Sequence, residues 1–520
     1  MATAATGTRT RATPDTTATG FGGLSRQVLA LCAVVVLGTI MTVLDLTIVN
    51  VAVPTLGRDF QASPATIQWV MTGYMLAFAS VIPLTGWASE RFGAKRVWIA
   101  SLALFMLGSG LAAAAWSIGS LIGFRVLQGL GAGMILPVGQ TILAQAAGPQ
   151  RMGRVMSVIG VPMLLAPVLG PVVGGAIVDQ ASWHWIFLIN LPIGIAAVVL
   201  AQRLLPDAKP QLGQRLDLRG LMLLSPGIAI FLYGMSQAAN QGRVDVARMA
   251  VAVLGAALVG LFAWHAKRRG GAALIDVSLF ARRGFAAAAV MNLLMCIALF
   301  GLLILLPLYY QVVRGANALD VGLLLIPQGI GAALAMPLAG RLTDKIGARA
   351  VVLAGTLAAM LGTLAYTQVS ADTPYLYLAA ALLVIGLGIG STIMPVMAAA
   401  FQTLSPAETP RATSALNAIQ RIAGAIGTAM LAIILQREIT ASLAGLPGGP
   451  QAVATLGAAQ RAHAAPALAA AFGTTFWVAL GLIAITVVPV LFLPRTTPAD
   501  QQHGGPTRRE LADGHLAVVC

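Results

Sequence analysis

Charge is what this sequence has least of. Asp, Glu, Lys and Arg make up 9% of its 520 residues, against 58% hydrophobic side chains, and the mean hydropathy is +0.86. A soluble domain of this length needs far more charge to cover its surface, so a water-soluble globule is excluded. Cysteine is nearly absent, with three residues. Cys32 and Cys296 lie in apolar runs and Cys520 ends the chain, so no pair has metal or redox spacing and no loop is stapled by a disulfide. There is no histidine cluster, metal-ligand spacing or nucleophile triad in the apolar segments, which argues against an enzyme. A Walker phosphate loop is also missing, so ATP hydrolysis by this chain is not expected. Residues 1–27 are rich in Thr and Ala with scattered Arg. They lack a short apolar core followed by a small-residue cleavage site and read as a disordered tail, not a signal peptide.

What the chain does have is a recurring apolar run of about 20 residues, the length that crosses a bilayer core as a helix. Fourteen such segments are predicted. Six span residues 28–53, 66–88, 97–115, 118–146, 154–178 and 184–204; two span 218–237 and 247–266; six more span 285–312, 319–340, 349–370, 374–401, 411–436 and 472–494. The expected fold is therefore an all-α polytopic membrane protein of 14 transmembrane helices. A six-helix bundle (28–204) and a second (285–494) flank an inserted helix pair with linkers (205–284), and 495–520 is a tail. The stretches Arg203–Arg219 and Lys267–Gly284 read as featureless linkers, and Glu438–Ala471 as a long loop of Ala, Gly and Pro.

The net charge of +15 is not a nucleic-acid signature. Most Lys and Arg fall in the two tails and the even-numbered loops, which is the positive-inside pattern. Both termini are thus expected in the cytoplasm, with the positive charge facing anionic lipid headgroups. There is no basic stripe for a polynucleotide.

The chain also repeats itself. Gly86, Glu90, Arg91, Gly93 and Lys95 after the second segment return at the same spacing as Gly340, Asp344, Lys345, Gly347 and Arg349 after the tenth. Gly129, Gly131, Gly133 and Pro137 in the fourth segment are echoed by Gly386, Gly388, Gly390 and Pro395 in the twelfth. Two six-helix pseudo-repeats of this kind place a substrate site between the halves.

Asp45, in LDLTIVNVAVP, is the one acid deep within a predicted span. A carboxylate there is costly and marks function by default. Burial penalises its charged form and a neighbouring cation favours it, so a site poised between the two can load a proton in one conformation and release it in another. The alternative is a structural carboxylate satisfied by backbone or by Asn50. Arg125 is the expected electrostatic partner of Asp45, with Gln128 on its helical face; a static buried pair is the alternative. The fifth segment carries Gly160, Pro162, Pro167, Gly170, Pro171, Gly174 and Gly175. Its small-residue stripe suits close helix packing and its prolines suit bending, either for closure of the outer face or for packing alone. Glu90, Arg91 and Lys95, with Asp344 and Arg349, read as charges that bridge helix ends and lock one access state. Arg421 in the thirteenth segment faces either an anionic substrate group or a backbone carbonyl. Asn50, Gln128, Met134, Met163 and Arg421 are the candidate cavity residues. Trp183, His184 and Trp185 mark the outer interface, where indoles favour the headgroup level.

These motifs together resemble the major facilitator superfamily, and within it the fourteen-helix drug:proton antiporter family. LDLTIVNVAVP resembles that family's first-helix motif, GWASERFGAKR the superfamily's loop motif, and RVLQGLGAG the fourth-helix motif, whose Arg, here Arg125, the resemblance implicates in proton transfer. GVPMLLAPVLGPVVGG resembles the antiporters' fifth-helix motif, and WHWIFLINLPIG the family signature with His184 at its Arg position. Ala88 and Glu90 depart from the usual Leu and Asp of the loop motif. The resemblance implies a proton-coupled antiporter that exports amphiphilic small molecules, with Asp45 carrying the proton and the gradient, not a bound cofactor, supplying the energy. No acid is embedded in the second half, which with Arg421 tilts the expected cargo toward neutral, weakly basic or anionic amphiphiles. The expected setting is a bacterial inner membrane and a monomer, with a periplasmic adaptor as a partner in a two-membrane source. A transporter dedicated to one metabolite and a non-transporting receptor or scaffold on the same fold are the rival readings.

Overall fold

The computed structural model describes residues 24–148, 151–207, 215–241, 246–402, 404–442 and 458–493. Its regular elements are helices, as a chain immersed in lipid requires, because each segment must satisfy its own backbone N–H and C=O groups. The first half holds α1 (Arg26–Asp59), α2 (Pro64–Ile67), α3 (Trp69–Val81), α4 (Leu84–Phe92), α5 (Ala94–Ala113), α6 (Ile118–Ala147), α7 (Met152–Gln180), α8 (His184–Leu188) and α9 (Asn190–Leu204). Then come α10 (Leu218–Gln241) and α11 (Val246–Arg269). The second half holds α12 (Arg283–Val312), α13 (Ala318–Leu324), α14 (Ile326–Ile346), α15 (Ala348–Thr367), α16 (Tyr375–Gly390), α17 (Ile393–Gln402), α18 (Thr409–Ser442), α19 (Ala458–Ile485) and α20 (Val487–Val490).

Among the described residues, 12 helices are long and apolar enough to cross a membrane, or 13 if α2–α4 is one bent span. The sequence predicts a single helix over 66–88, whereas the structure bends there by 55°. Pro83 is the cause: it has no N–H to give and its ring crowds the preceding turn. At the bend the Ile82 carbonyl takes the hydroxyls of Thr85 at 2.7 Å and of Ser414, from the second half, at 2.8 Å. A second difference lies in the stretch read as a loop from Glu438 to Ala471. There α18 runs on to Ser442 and α19 begins at Ala458. Alanine is the best helix former, and its modest hydropathy hid the extension.

The glycine echo has a packing meaning. A Cβ at Gly129 or Gly133 would strike the backbone of α3 at Tyr74 or Phe78, and one at Gly131 the backbone of α5 at Phe105. In the second half Gly386 and Gly390 meet α14 at Gln328 and Ala332, and Gly388 meets α15 at Ala359. Each fourth-segment helix is thus pressed between two neighbours by the same small-residue device. The loop glycines also match: Gly93 has φ 88° and Gly347 φ 85°, a region that side chains avoid, so each permits the sharp turn into α5 or α15.

The inserted pair α10–α11 turns apolar side chains outward, including Met222, Val253, Leu254, Leu261 and Trp264. Its linkers are not featureless. Asp217 is 1% exposed and accepts from His265 Nε2 at 3.0 Å and from the amides of Gly220 at 3.1 Å and Leu274 at 3.2 Å, with Arg269 at 3.4 Å. Burial opposes its charge, but these donors and the Arg269 cation outweigh it and hold the carboxyl below its usual range. The knot fixes the start of α10 to the chain that leads into α12.

Candidate functional site

Asp45 lies on α1, about 28 Å along the helix from Arg26 at 1.5 Å per residue. Gly170 and Gly174 of α7 press against α1 at Thr47 and Ile48, which fixes this stretch of α1 inside the first half. The carboxylate is fully buried. Arg125 Nη1 donates to Asp45 Oδ2 at 2.6 Å, Gln128 Nε2 donates to Oδ1 at 2.8 Å and Asn190 Nδ2 donates to Oδ1 at 3.0 Å. Three converging N–H donors suit an ionised carboxylate.

Arg125 is also fully buried. Its Nη1 reaches Gln128 Oε1 at 2.6 Å and its Nε the Val70 carbonyl at 3.4 Å. The guanidinium stands 4.1 Å over the Tyr74 ring, a favourable cation–π placement. Among the described residues its Nη2 has no hydrogen-bond partner, nor has the buried Tyr74 hydroxyl. The site is therefore paired in charge but incompletely satisfied in hydrogen bonds among the described residues.

Asn190 is the member that sequence reasoning missed. It stands in the WHWIFLINLPIG signature, bonds Ser109 Oγ at 3.1 Å as well as Asp45, and is held in place because Ser109 donates to the Phe187 carbonyl at 2.8 Å. Its signal was an amide inside an otherwise apolar segment. Gln128, expected on a cavity wall, is buried in the ion-pair cluster. Asn50 is exposed and donates to its own Leu46 carbonyl at 3.1 Å. Met134 packs half-buried on the main apolar core. The side chains of Met163, Pro167 and Pro171 lie outside the described residues. Gly160 abuts Met336 and Met394 of the second half, and a Cβ at Gly175 would meet nothing within 4 Å among the described residues. His184 is exposed, stacked 3.7 Å from the buried Trp183 ring.

Hydrogen bonds and ion pairs between the halves gather at the end where α1 begins. Glu90, 8% exposed, takes a fork from Arg411 with Nε at 3.0 Å from Oε1 and Nη2 at 2.9 Å from Oε2. Arg411 Nη1 also donates to the linker carbonyls of Gly271 and Ala273. Gly86 is small because α4 meets α18 at Pro410 and Arg411 there. The second-half copy does the mirror job: Asp344 accepts from Arg154 Nε at 2.7 Å and from the Gly153 amide at 3.2 Å, while Gly340 sits against Gly153. Of the remaining motif charges, Lys95 reaches Asp207 at 3.2 Å, and Arg91 and Arg349 are half-buried. Removing one partner of a buried pair strands the other. Arg411→Gln is expected to loosen this end, so that a cysteine placed at Ser414, with the native cysteines replaced, reacts with an impermeant maleimide from that side about 10-fold faster. An unchanged rate would mean that the pair does not hold the halves together.

The linker adds one more tie, from Arg282 Nη2 to Glu408 Oε1 at 2.5 Å. Arg282 and the Ser405 amide and hydroxyl hold the Glu408 carboxyl at about 2, against an ordinary 4.5. Because the folded value lies below the unfolded one, this tie is complete above pH 4.5 and is lost as pH falls through 2. Hydrogen-exchange protection of the turn Val277–Ala281 is expected to drop across that window and to be flat above it.

A two-halved bundle of membrane-length helices, latched at one end and holding a buried acid–base pair in one half, is a polytopic membrane carrier. The chain belongs to the major facilitator superfamily, whose sequence model matches residues 35–428. It is 41% identical over 482 residues to the "Multidrug resistance protein B homolog" of Mycobacterium tuberculosis, covering 89% of each chain. It is 32% identical over 399 residues to the "Multidrug export protein EmrB" of Haemophilus influenzae, covering 76% of this chain and 78% of the other. In fold it is similar to the proton:xylose symporter XylE, with TM-score 0.59, 13% identity, and coverage of 91% of this chain and 97% of that one.

Proposed function

We propose that this chain is a proton-coupled antiporter that exports amphiphilic small molecules, such as drugs, antibiotics or secondary metabolites, across a bacterial cytoplasmic membrane by alternating access. The observation that carries the reading is the buried Asp45–Arg125 pair with its Gln128 and Asn190 donors. The relatives named for multidrug resistance and export support the cargo class.

In this reading the spans number fourteen: the 12 separate spans, the bent α2–α4, and the 29-residue α7. Both termini are cytoplasmic, following the loops rich in Lys and Arg. The latched end then faces the cytoplasm and the cleft between the halves opens outward. Bodies 28–204 and 285–494 rock against each other, and 205–284 travels as an appended pair. In a two-membrane source, an adaptor would meet the outer end.

Protonation of Asp45 removes the counter-charge of a guanidinium that is fully buried in this state. Arg125 must then find other partners, and Gln128 and the Tyr74 face are already in contact with it. That strain links proton loading to rearrangement of α1 against α6. Opening toward the cytoplasm breaks the Glu90–Arg411 and Asp344–Arg154 ties, and there Asp45 loses its proton as cargo enters. No cofactor is called for beyond the proton gradient. One proton moving down about 100 mV releases about 2.3 kcal/mol, and each pH unit adds about 1.4 kcal/mol. One proton per neutral cargo at one pH unit sustains a gradient of roughly a few hundred-fold. The test is proton movement out of reconstituted liposomes when cargo is added outside. Cargo flux with no proton movement would overturn the coupling, and binding without flux would favour a receptor.

A further inference from the structure

One face of α18 runs along the first half, and its polar residues are matched one by one. Arg411 forks onto Glu90, Ser414 donates to the Ile82 carbonyl, and one turn further Asn417 Nδ2 donates to Gln140 Oε1 at 2.8 Å. The next residue on that face is Arg421, about 18 Å along the helix from Thr409. The matching stops here. Among the described residues Arg421 makes no ion pair and no hydrogen bond; its guanidinium stands 4.3 Å over the ring of Phe78. It is half-buried, at the level where the ties between the halves end. Beside it Gln420 Nε2 donates to Asn292 Oδ1 at 3.1 Å, so the wall next to the cation is polar.

We infer that Arg421 is the docking point for an acidic group on the cargo, and that the substrates are amphiphiles bearing a carboxylate or another compact oxyanion. A cation inside a membrane protein is costly and faces a cavity or a partner. Arg421 has an aromatic face on one side and no carboxylate on the other, which leaves its planar fork open to an oxyanion. A cationic cargo would meet like charge at the same place. Phe78 supplies an apolar surface for the rest of the molecule. The same aromatic pair serves both guanidiniums: Tyr74 lies under Arg125, its ring 6.2 Å from that of Phe78, which lies under Arg421. An occupant that shifts Phe78 therefore bears on the Asp45 pair. The inference rests on the exporter reading above and specifies its cargo.

The experiment measures equilibrium binding of three matched probes to the full chain in lipid nanodiscs: a naphthyl alkyl carboxylate, its primary amide and its primary amine. Proton exchange in liposomes is followed with the same three. The expected result is a carboxylate bound about 10- to 100-fold tighter than the amide, the range of a charge-assisted hydrogen bond. Arg421→Gln is expected to erase that difference by weakening carboxylate binding about 10- to 100-fold toward the amide level. Arg421→Lys keeps the charge but loses the fork, and is expected to retain part of the preference; it carries the test if the Gln variant fails to fold. Equal binding of carboxylate and amide by the wild type, or a preference that survives in Arg421→Gln, overturns the inference. If amide or amine exchanges for protons regardless of Arg421, only the cargo assignment falls. If no probe binds or moves protons, the exporter reading falls with it.

Discussion

Asp45→Asn is expected to reduce cargo-driven proton exchange to the background of empty liposomes. The substitution keeps the shape of the side chain but only one of its two acceptor oxygens, so it can accept from Arg125 or from Gln128 and Asn190 but not from all three, and it removes the proton site. Counterflow, in which labelled cargo exchanges for unlabelled cargo without a gradient, should persist, because it needs the cleft and not the carboxylate. Loss of uphill transport with retained counterflow is therefore the signature, read in the same liposomes. Full uphill transport by the variant would place the proton elsewhere. The buried guanidinium is left without its counter-charge, so the variant should also be less heat-stable than the wild type.

The second large effect concerns that stranded charge. Arg125→Gln leaves Asp45 buried without a cation, and breaking a buried pair from one side costs about 3–5 kcal/mol. The double variant, Asp45→Asn with Arg125→Gln, removes both charges, and neutral replacement of a whole buried pair is often tolerated. Thermal unfolding in detergent is thus expected to fall steeply for Arg125→Gln and to recover most of the way in the double variant, which stays inactive in proton exchange. Additive losses in the cycle would mean that the two side chains do not act on each other, contrary to their 2.6 Å contact.

The charged half of this site could be read from the sequence because ions are conspicuous in apolar runs: Asp45 and Arg125 have nothing like them nearby. Its neutral half could not. Asn190 is 145 positions from Asp45 in the chain, and an uncharged amide carries no long-range signal. Asn417 and Gln140 were invisible for the same reason. The Glu90–Arg411 fork was half legible. The loop motif pointed to Glu90, but Arg411 stands at the start of an apolar run, where a base is ordinarily read as a membrane anchor. Hydropathy gave the spans and missed what interrupts them. Pro83 is visible as a letter, yet a membrane helix often absorbs a proline, and the packing around the bend, such as Ser414 at the Ile82 carbonyl, is not written in the local sequence. Linkers looked empty because Asp217 draws its partners from three separate stretches.

Arg411 is a shared fastening. Its guanidinium is divided between Glu90 of the first half and two carbonyls of the chain that ties α11 to α12. When the latched end parts, that strap must slacken in the same event. If the halves rock as proposed, the inserted helices are pulled through this strap, and lengthening or stiffening residues 270–282 is expected to alter how readily the carrier turns.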